Sequence, residues 1–450
     1  MSKNISRIGA FAAVTVVFFS ALIGGTHAQR RPEISSRAAK EAAIVTTTAA
    51  ILEETSKIRE LPILRPVKSG AQSRAEIEKM LIKNLYEQMT TTDMHATEVA
   101  YRKLGLAPPT FEYRPFIIKL LSEQVAGYYD PVAQEFYLAD WLELETQKPV
   151  MAHELTHALQ DQHFNLRRFQ KWPHGDGDAE LAAHALIEGD ATVTMMVYMA
   201  KNPLVALAFT RSLTSGVSTE VYNQAPRMLR ETLVFPYLQG SEWATGVYKR
   251  EGFAGLSKAF SRLPASTEQI LHQEKYVANE QPLKISLPDL SSVLNDDRAA
   301  RAATTATAGW HRIDSDVNGE WGYYLLLDQF LNAPQESRRA AAGWAGDRFD
   351  VYEGANPNQV MIAQVSTWDT EPDAREFFDA YVKRTKLRYP EAKSIDDEQM
   401  RNSTPETRNS YSWQTSEGEV VVALHGSRVT VLEGLPTENV TAKVLSALQR

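Results

Sequence analysis

Apolar residues recur at helical spacing through most of the first 290 positions. Ala43, Ile44, Ile51 and Ile58 make one such row, and Ile77, Met80, Leu81 and Leu85 make another. The second is opened by Ser73 with Glu76 three residues on, the reciprocal pattern of a capping box. Between the two rows, Pro62, Pro66 and Ser69-Gly70 interrupt the period and read as an exposed connector. The same periodicity predicts helices over 94–104, 148–164, 179–200, 218–234 and 241–260. Around 124–139 the period shortens: Val125, Tyr128 and Tyr129, a turn near Asp130-Pro131, then Phe136, Tyr137 and Leu138 predict a hairpin of two short strands. Beyond about residue 290 the texture changes. Ala299–Ala308 is an alanine- and threonine-rich stretch that reads as a linker. A helix near 320–332, strands near 347–353 and 359–366, a helix near 371–385 and strands near 419–432 follow. No internal repeat at a fixed period is present.

These patterns predict an α+β chain: a leader and connector over 29–72, a mostly helical domain with a small sheet over 73–290, a linker over 291–315, and a smaller α+β accessory domain over 316–450. Residues 1–28 read differently. Lys3 and Arg7 precede an apolar run from Ile8 to Ile23, and Gly24, Gly25, Thr26, His27 and Ala28 lead to Gln29. A positive start, a short apolar middle and a small-residue exit describe a secretory signal peptide, so the mature chain is expected in the periplasm or outside the cell. An uncleaved anchor is the competing reading, although the run falls short of the roughly 20 residues a membrane span needs. After cleavage no stable span is expected.

Composition narrows the chemistry. The 450-residue chain carries 48 Lys and Arg against 56 Asp and Glu, a net charge of −8, and shows no basic stripe of the kind a nucleic-acid partner requires. It has no Cys, which excludes disulfides, thiolate zinc sites and thiol nucleophiles.

The run from His153 reads HELTHALQDQHF. His153 and His157, four apart on a helix, project from one face, and two imidazoles so placed can reach one zinc ion. Glu154 is offset around the helix beside the metal's open position, where it can accept a proton from water attacking a carbonyl. Met151, Leu155 and Leu159 form an apolar row that anchors the helix from behind. Two residues are candidates for the third ligand. Glu188 falls on the next apolar helix, where a carboxylate is costly unless paired or metal-bound, and the adjacent Gly189 implies a close approach. His163 lies ten residues after His153, a spacing that serves when a glycine lets the helix turn sharply, but Gln160 stands where that glycine would be. Glu188 is therefore preferred. His184, one turn before Glu188, is read as an additional ligand or as a packed neighbour. In the segment 174–180, Asp176 or Asp178 is expected to cap the following helix with Glu180 in its first turn, in preference to forming a calcium loop.

On these residues the chain resembles the gluzincin-type zinc metallopeptidases, and more closely a group of exported bacterial proteins predicted to be such peptidases. The resemblance covers about 115–280 and rests on EQVAGYYDP at 123–131, MAHELTHALQDQHF at 151–164, ALIEGDAT at 185–192 and PASTEQILHQEKY at 264–276. It implies a zincin-like fold with His153, His157 and Glu188 as zinc ligands and Glu154 as general base. It also implies an active-site helix beneath a sheet whose edge strand holds the substrate extended, for which Gln134–Asp140 is the candidate. The chain departs from the thermolysin-like pattern by its longer gap between His157 and Glu188, and by Thr192 where that pattern has Asp. Asp190 falls on a different helical face from Glu188. The residue that would stabilise an oxyanion is not fixed, and Tyr237, His272 and Tyr276 are candidates. The expected function is an exported zinc-dependent peptidase acting on a peptide or protein substrate. Its rival is a zinc-stabilised envelope binding or scaffold protein in which the same ligands serve only structure.

Overall fold

The computed structural model describes residues 37–173, 175–213, 220–296, 309–356, 359–395, 408–436 and 438–448. The expected signal segment 1–28 and the alanine-rich stretch 299–308 lie outside the described residues. The first region is built from α1 (Arg37–Arg59), β1 (Lys68–Gln72), α2 (Arg74–Gln88), α3 (Thr91–Lys103), α4 (Tyr113–Gln124), β2 (Gly127–Asp130), β3 (Glu135–Ala139), α5 (Leu144–Phe164), α6 (Gly177–Lys201), α7 (Pro203–Leu213), α8 (Glu220–Gln224), α9 (Arg227–Ala259), α10 (Thr267–Leu271), α11 (Gln273–Ala278) and α12 (Ser291–Asn295). The capping box at Ser73 forms as its spacing implies, with Ser73 N donating to Glu76 Oε2 at 2.7 Å. Thr90 and Asp93 make a second box at the start of α3. Asp176 caps α6, whereas Asp178 turns aside to accept from the amide and hydroxyl of Thr267. Where helices are expected over 218–234 and 241–260, the short α8 is followed by one long helix, α9, that runs through Pro236 and breaks at Gly252, whose φ of +63° suits a residue without a Cβ.

The small sheet corrects the sequence reading of the edge strand. Its order is β1-β3-β2, with β1 parallel and β2 antiparallel to β3. The Gln134–Asp140 strand is therefore central, paired on both sides, and cannot accept a peptide. The reason is β1: Lys68–Gln72 forms a strand inside the segment read as an exposed connector. KSGAQ lacks the β-branched alternation that signals a strand, so its pairing is set by β3 rather than by local pattern. The edge facing the central helix is β2.

That central helix, α5, is enclosed by α1, α6, α7 and the hairpin. Met151, Leu155 and Leu159 are fully buried, as the apolar row implied. α6 and α9 touch backbone to backbone: a Cβ on Gly189 would lie 2.2 Å from the Gly240 carbonyl oxygen.

The second region contains β4 (His311–Asp316), α13 (Gly319–Leu331), α14 (Pro334–Ala341), β5 (Trp344–Glu353), β6 (Val360–Trp368), α15 (Glu371–Arg388), β7 (Lys393–Ser394), β8 (Ser410–Thr415), β9 (Gly418–His425), β10 (Arg428–Leu435) and α16 (Glu438–Leu448). Its seven strands form one antiparallel sheet ordered β4-β5-β6-β10-β9-β8-β7. The strand β4 occupies the end of the expected linker. One hydrophobic cluster runs from Ile44 in α1 to Val431 in β10, so the two regions share a core. A separate cluster covers the sheet's other face, where Leu290, Leu294, Val440 and Val444 pack on Met361, Val365 and Leu432. The chain is thus a mostly helical α+β protein with a sheet-rich C-terminal part. Among the described residues, no single helix is long and apolar enough to cross a membrane.

Candidate metal centre

The i, i+4 spacing on α5 sets the rings of His153 and His157 with their centroids 4.8 Å apart and their Nε2 atoms 3.1 Å apart. α6 crosses α5 so that Glu188 Oε2 lies 3.1 Å from His153 Nε2 and 3.4 Å from His157 Nε2. Four ligands about 2.0–2.1 Å from a tetrahedral zinc ion stand roughly 3.3–3.4 Å from one another. The three observed separations fit that figure. The donor set, two imidazole nitrogens and one carboxylate oxygen, suits a borderline ion such as zinc. His153, His157 and Glu188 are therefore a possible metal-ligand group.

The electrostatics point the same way. Burial would raise the Glu188 pKa, but the two imidazoles outweigh it and hold the carboxylate at about 2. Burial would lower His157, yet Glu188, Glu154 and Gln160 together lift it to about 9. His153, dominated by burial, is lowered. An anionic Glu188 thus draws a positive charge to the point where the three ligand atoms converge.

Glu154 is fully buried beside this trio. Its Oε2 accepts the amide of Tyr129 in β2 at 2.9 Å, and its Oε1 has no hydrogen-bond partner. Burial pushes its pKa well above the usual carboxylate range. The Tyr129 hydroxyl donates to Asp161 Oδ2 at 3.0 Å, about two turns further along α5. Gln160 was legible only as the residue standing where a glycine would allow a turn. Its Oε1 lies 2.8 Å from His157 Nδ1, while its amide nitrogen donates to Asp190 Oδ2 at 2.8 Å and to the Ile187 carbonyl at 3.0 Å. A metal-binding histidine commonly gives its other ring N–H to such an oxygen, which fixes the tautomer. Asp190 thus meets the Gln160 amide rather than Glu188.

The remaining candidates separate clearly. His163 Nε2 lies 2.7 Å from the Pro62 carbonyl, outside the trio. With Gln162, which holds the Leu64 and Arg65 amides, it clamps the connector after α1 onto the end of α5. His184 is buried near Glu188 with Nε2 unpartnered, and burial lowers its pKa to about 4; it is not one of the three converging groups. Of the oxyanion candidates, Tyr237 stacks on the His153 ring at 6.3 Å between centroids. His272 instead pairs with Glu320 at 2.8 Å, and the Tyr276 hydroxyl donates to the Arg262 carbonyl at 2.9 Å. A second acidic group, Glu268, Glu280 and Asp369, has ligand-like spacing, but the Lys275 ammonium already donates to all three carboxylates.

A family model described as a domain of unknown function (DUF8575) matches residues 306–445, the sheet-rich part, and so does not reach the trio. No curated protein and no solved structure matches the chain.

Proposed function

We propose that the protein is an exported zinc-dependent peptidase. The observation that carries the reading is the buried Glu154 carboxylate, held at one oxygen by Tyr129 and unpartnered at the other, next to two imidazoles and a carboxylate at zinc-ligand separations. A structural site has no use for such a group. His153, His157 and Glu188 would hold the ion, which when bound supplies Lewis-acid polarisation of a carbonyl and a more acidic water. Glu154 Oε1 accepts the proton released as water adds, and the raised proton affinity that burial gives this carboxyl suits it to carry that proton to the leaving amine. β2 presents the substrate edge. Ala126 and Asp130 turn their carbonyls toward the β3 hairpin, accepting from Ala139 and Gln134, so the backbone groups of Gly127 and the Tyr129 carbonyl face the other way, beside the Tyr129 amide that Glu154 holds. An extended peptide pairing there would pass directly over Glu154.

The rival, a structural zinc site in an envelope binding protein, is favoured by one feature. His153 and His157 are 1% and 2% exposed, as in a closed centre. Elemental analysis of the purified protein, with Glu188→Ala and Glu154→Gln beside it, separates the readings. The peptidase reading expects one zinc per chain, loss of zinc in Glu188→Ala, and in Glu154→Gln full zinc with no peptide hydrolysis. Unimpaired hydrolysis by Glu154→Gln would overturn it, and zinc without turnover in the parent would favour the rival.

A further inference from the structure

Gln160 orients His157, and the residue that in turn holds Gln160 in place comes from far upstream. Asp190 Oδ2 receives the Gln160 amide nitrogen, and Asp190 Oδ1 lies 2.6 Å from Nε of Arg59, the last residue of α1. Both side chains are wholly buried. The guanidinium also donates from Nη1 to Ser257 Oγ at 3.1 Å and to the Phe253 carbonyl at 3.4 Å, and it stands 5.1 Å from the Phe253 ring centroid. Arg59 is thus gripped by α9 on one side while it grips Asp190 on the other.

The sequence of contacts has a direction. A carboxylate only accepts, so Gln160 must turn its NH2 toward Asp190 and its carbonyl toward His157. That carbonyl only accepts, so a His157 that binds metal must keep its proton on Nδ1 and bind through Nε2, the atom facing His153 and Glu188. Arg59 lies against Asp190 Oδ1 and balances the charge of a carboxylate that is wholly buried. α1 brings Arg59 to this position through Ile44, Ile51, Leu52 and Ile58, all buried in the shared core.

We propose that Arg59 is a positioning residue of the metal centre, acting through Asp190 and Gln160 on His157, so that docking of α1 is a condition for tight metal binding. The inference rests on the metal reading of His153, His157 and Glu188. It makes α1 a working part of the centre.

The test is zinc affinity, by chelator competition, in the purified protein and its variants, with the visible spectrum of the cobalt-loaded protein as a report on the ligand set. Gln160→Met and Arg59→Met are each expected to weaken zinc by about 10–100-fold, the usual effect of losing a partner of a ligand histidine, and to alter the cobalt spectrum. Arg59→Lys, which keeps a single ion pair with Asp190, is expected to recover much of the loss. If Arg59→Met does not fold, Arg59→Met with Asp190→Leu removes both buried charges and is expected to fold yet bind zinc as weakly as Gln160→Met. Folded variants with a lowered Tm but parental zinc affinity and cobalt spectrum would overturn the proposal, since a packing role alone predicts that result. A parent that binds no metal would overturn the metal reading and this inference with it. A parent that binds zinc but hydrolyses nothing would leave the inference standing.

Discussion

The backbone amide of Tyr129 donates to Glu154 Oε2 at 2.9 Å, tying the outer strand of the hairpin to the carboxylate beside the histidine pair. The same residue is held at its far end, where its hydroxyl meets Asp161. Tyr129→Phe keeps the first bond and loses the second. It should cost about 1.5–3 kcal/mol, the usual worth of a hydrogen bond to a charged group, read as a lower denaturant midpoint at unchanged slope. Zinc content should not change. A loss of zinc in this variant would mean that the hairpin positions the ligands themselves.

Gly189→Ala should reverse the ordinary sign of such a change. Inside a helix alanine is favoured over glycine by about 1 kcal/mol. Here the added Cβ would lie 2.2 Å from the Gly240 carbonyl oxygen, so α6 and α9 must separate, at a cost of about 1–3 kcal/mol for an overpacked core. Because Glu188 is the preceding residue, zinc affinity should fall together with the melting temperature. A variant as stable as the parent would show that the crossing is loose.

Metal loading should depend on pH through His157. Its metal-free pKa of about 9 means that zinc must displace a proton from that ring over most of the usual range. Apparent affinity should therefore climb about tenfold per pH unit up to about pH 9 and then level off. Calorimetry in buffers of different ionisation enthalpy would count the proton released. Release of none below pH 8 would contradict the charge arrangement described for the trio.

Stability should respond to pH at the junction of the two regions. Glu180, buried in the first turn of α6, is raised by burial and then by Asp316 and Asp176 to about 8. The folded chain therefore holds a proton that the unfolded chain, with an ordinary carboxyl pKa near 4.5, gives up first. As pH rises from about 4.5 to about 8 the unfolded state is progressively favoured, so this contribution to stability declines and then stays flat. Glu188 acts in the opposite sense, losing its contribution as pH falls from about 4.5 toward about 2. Glu180→Gln should flatten the decline above pH 4.5 in a series of thermal melts. Parallel curves for parent and variant would show that Glu180 is not its source.

What the sequence made legible follows from how local each signal is. The i, i+4 histidines, the apolar row behind them and Gly189 are all patterns within one or two helices, and the structure brings His153, His157 and Glu188 together as those patterns implied. β1 is not legible in the sequence, because KSGAQ owes its pairing to β3 rather than to its own composition. Without β1, the strand pattern alone leaves β3 at the edge, a place the structure gives to β2. Gln160 carried a usable signal, since it lies three residues after His157 and so within reach of its ring. Arg59 carried none: its partners lie in α6 and α9, and no spacing rule spans such a gap.

That gap also dictates an order of assembly. Arg59 contacts the Phe253 carbonyl, 194 residues further along the chain, and Ser257 beyond it. Helix α1 therefore waits, with Arg59 lacking its contacts in α9, until 194 further residues have been made. Closure of so long a loop is slow, and it precedes any gain from the contacts it permits. A chain interrupted before Phe253 would retain the histidine pair, Gln160, Asp190 and Arg59, but would lack the α9 groups that hold the Arg59 guanidinium in place.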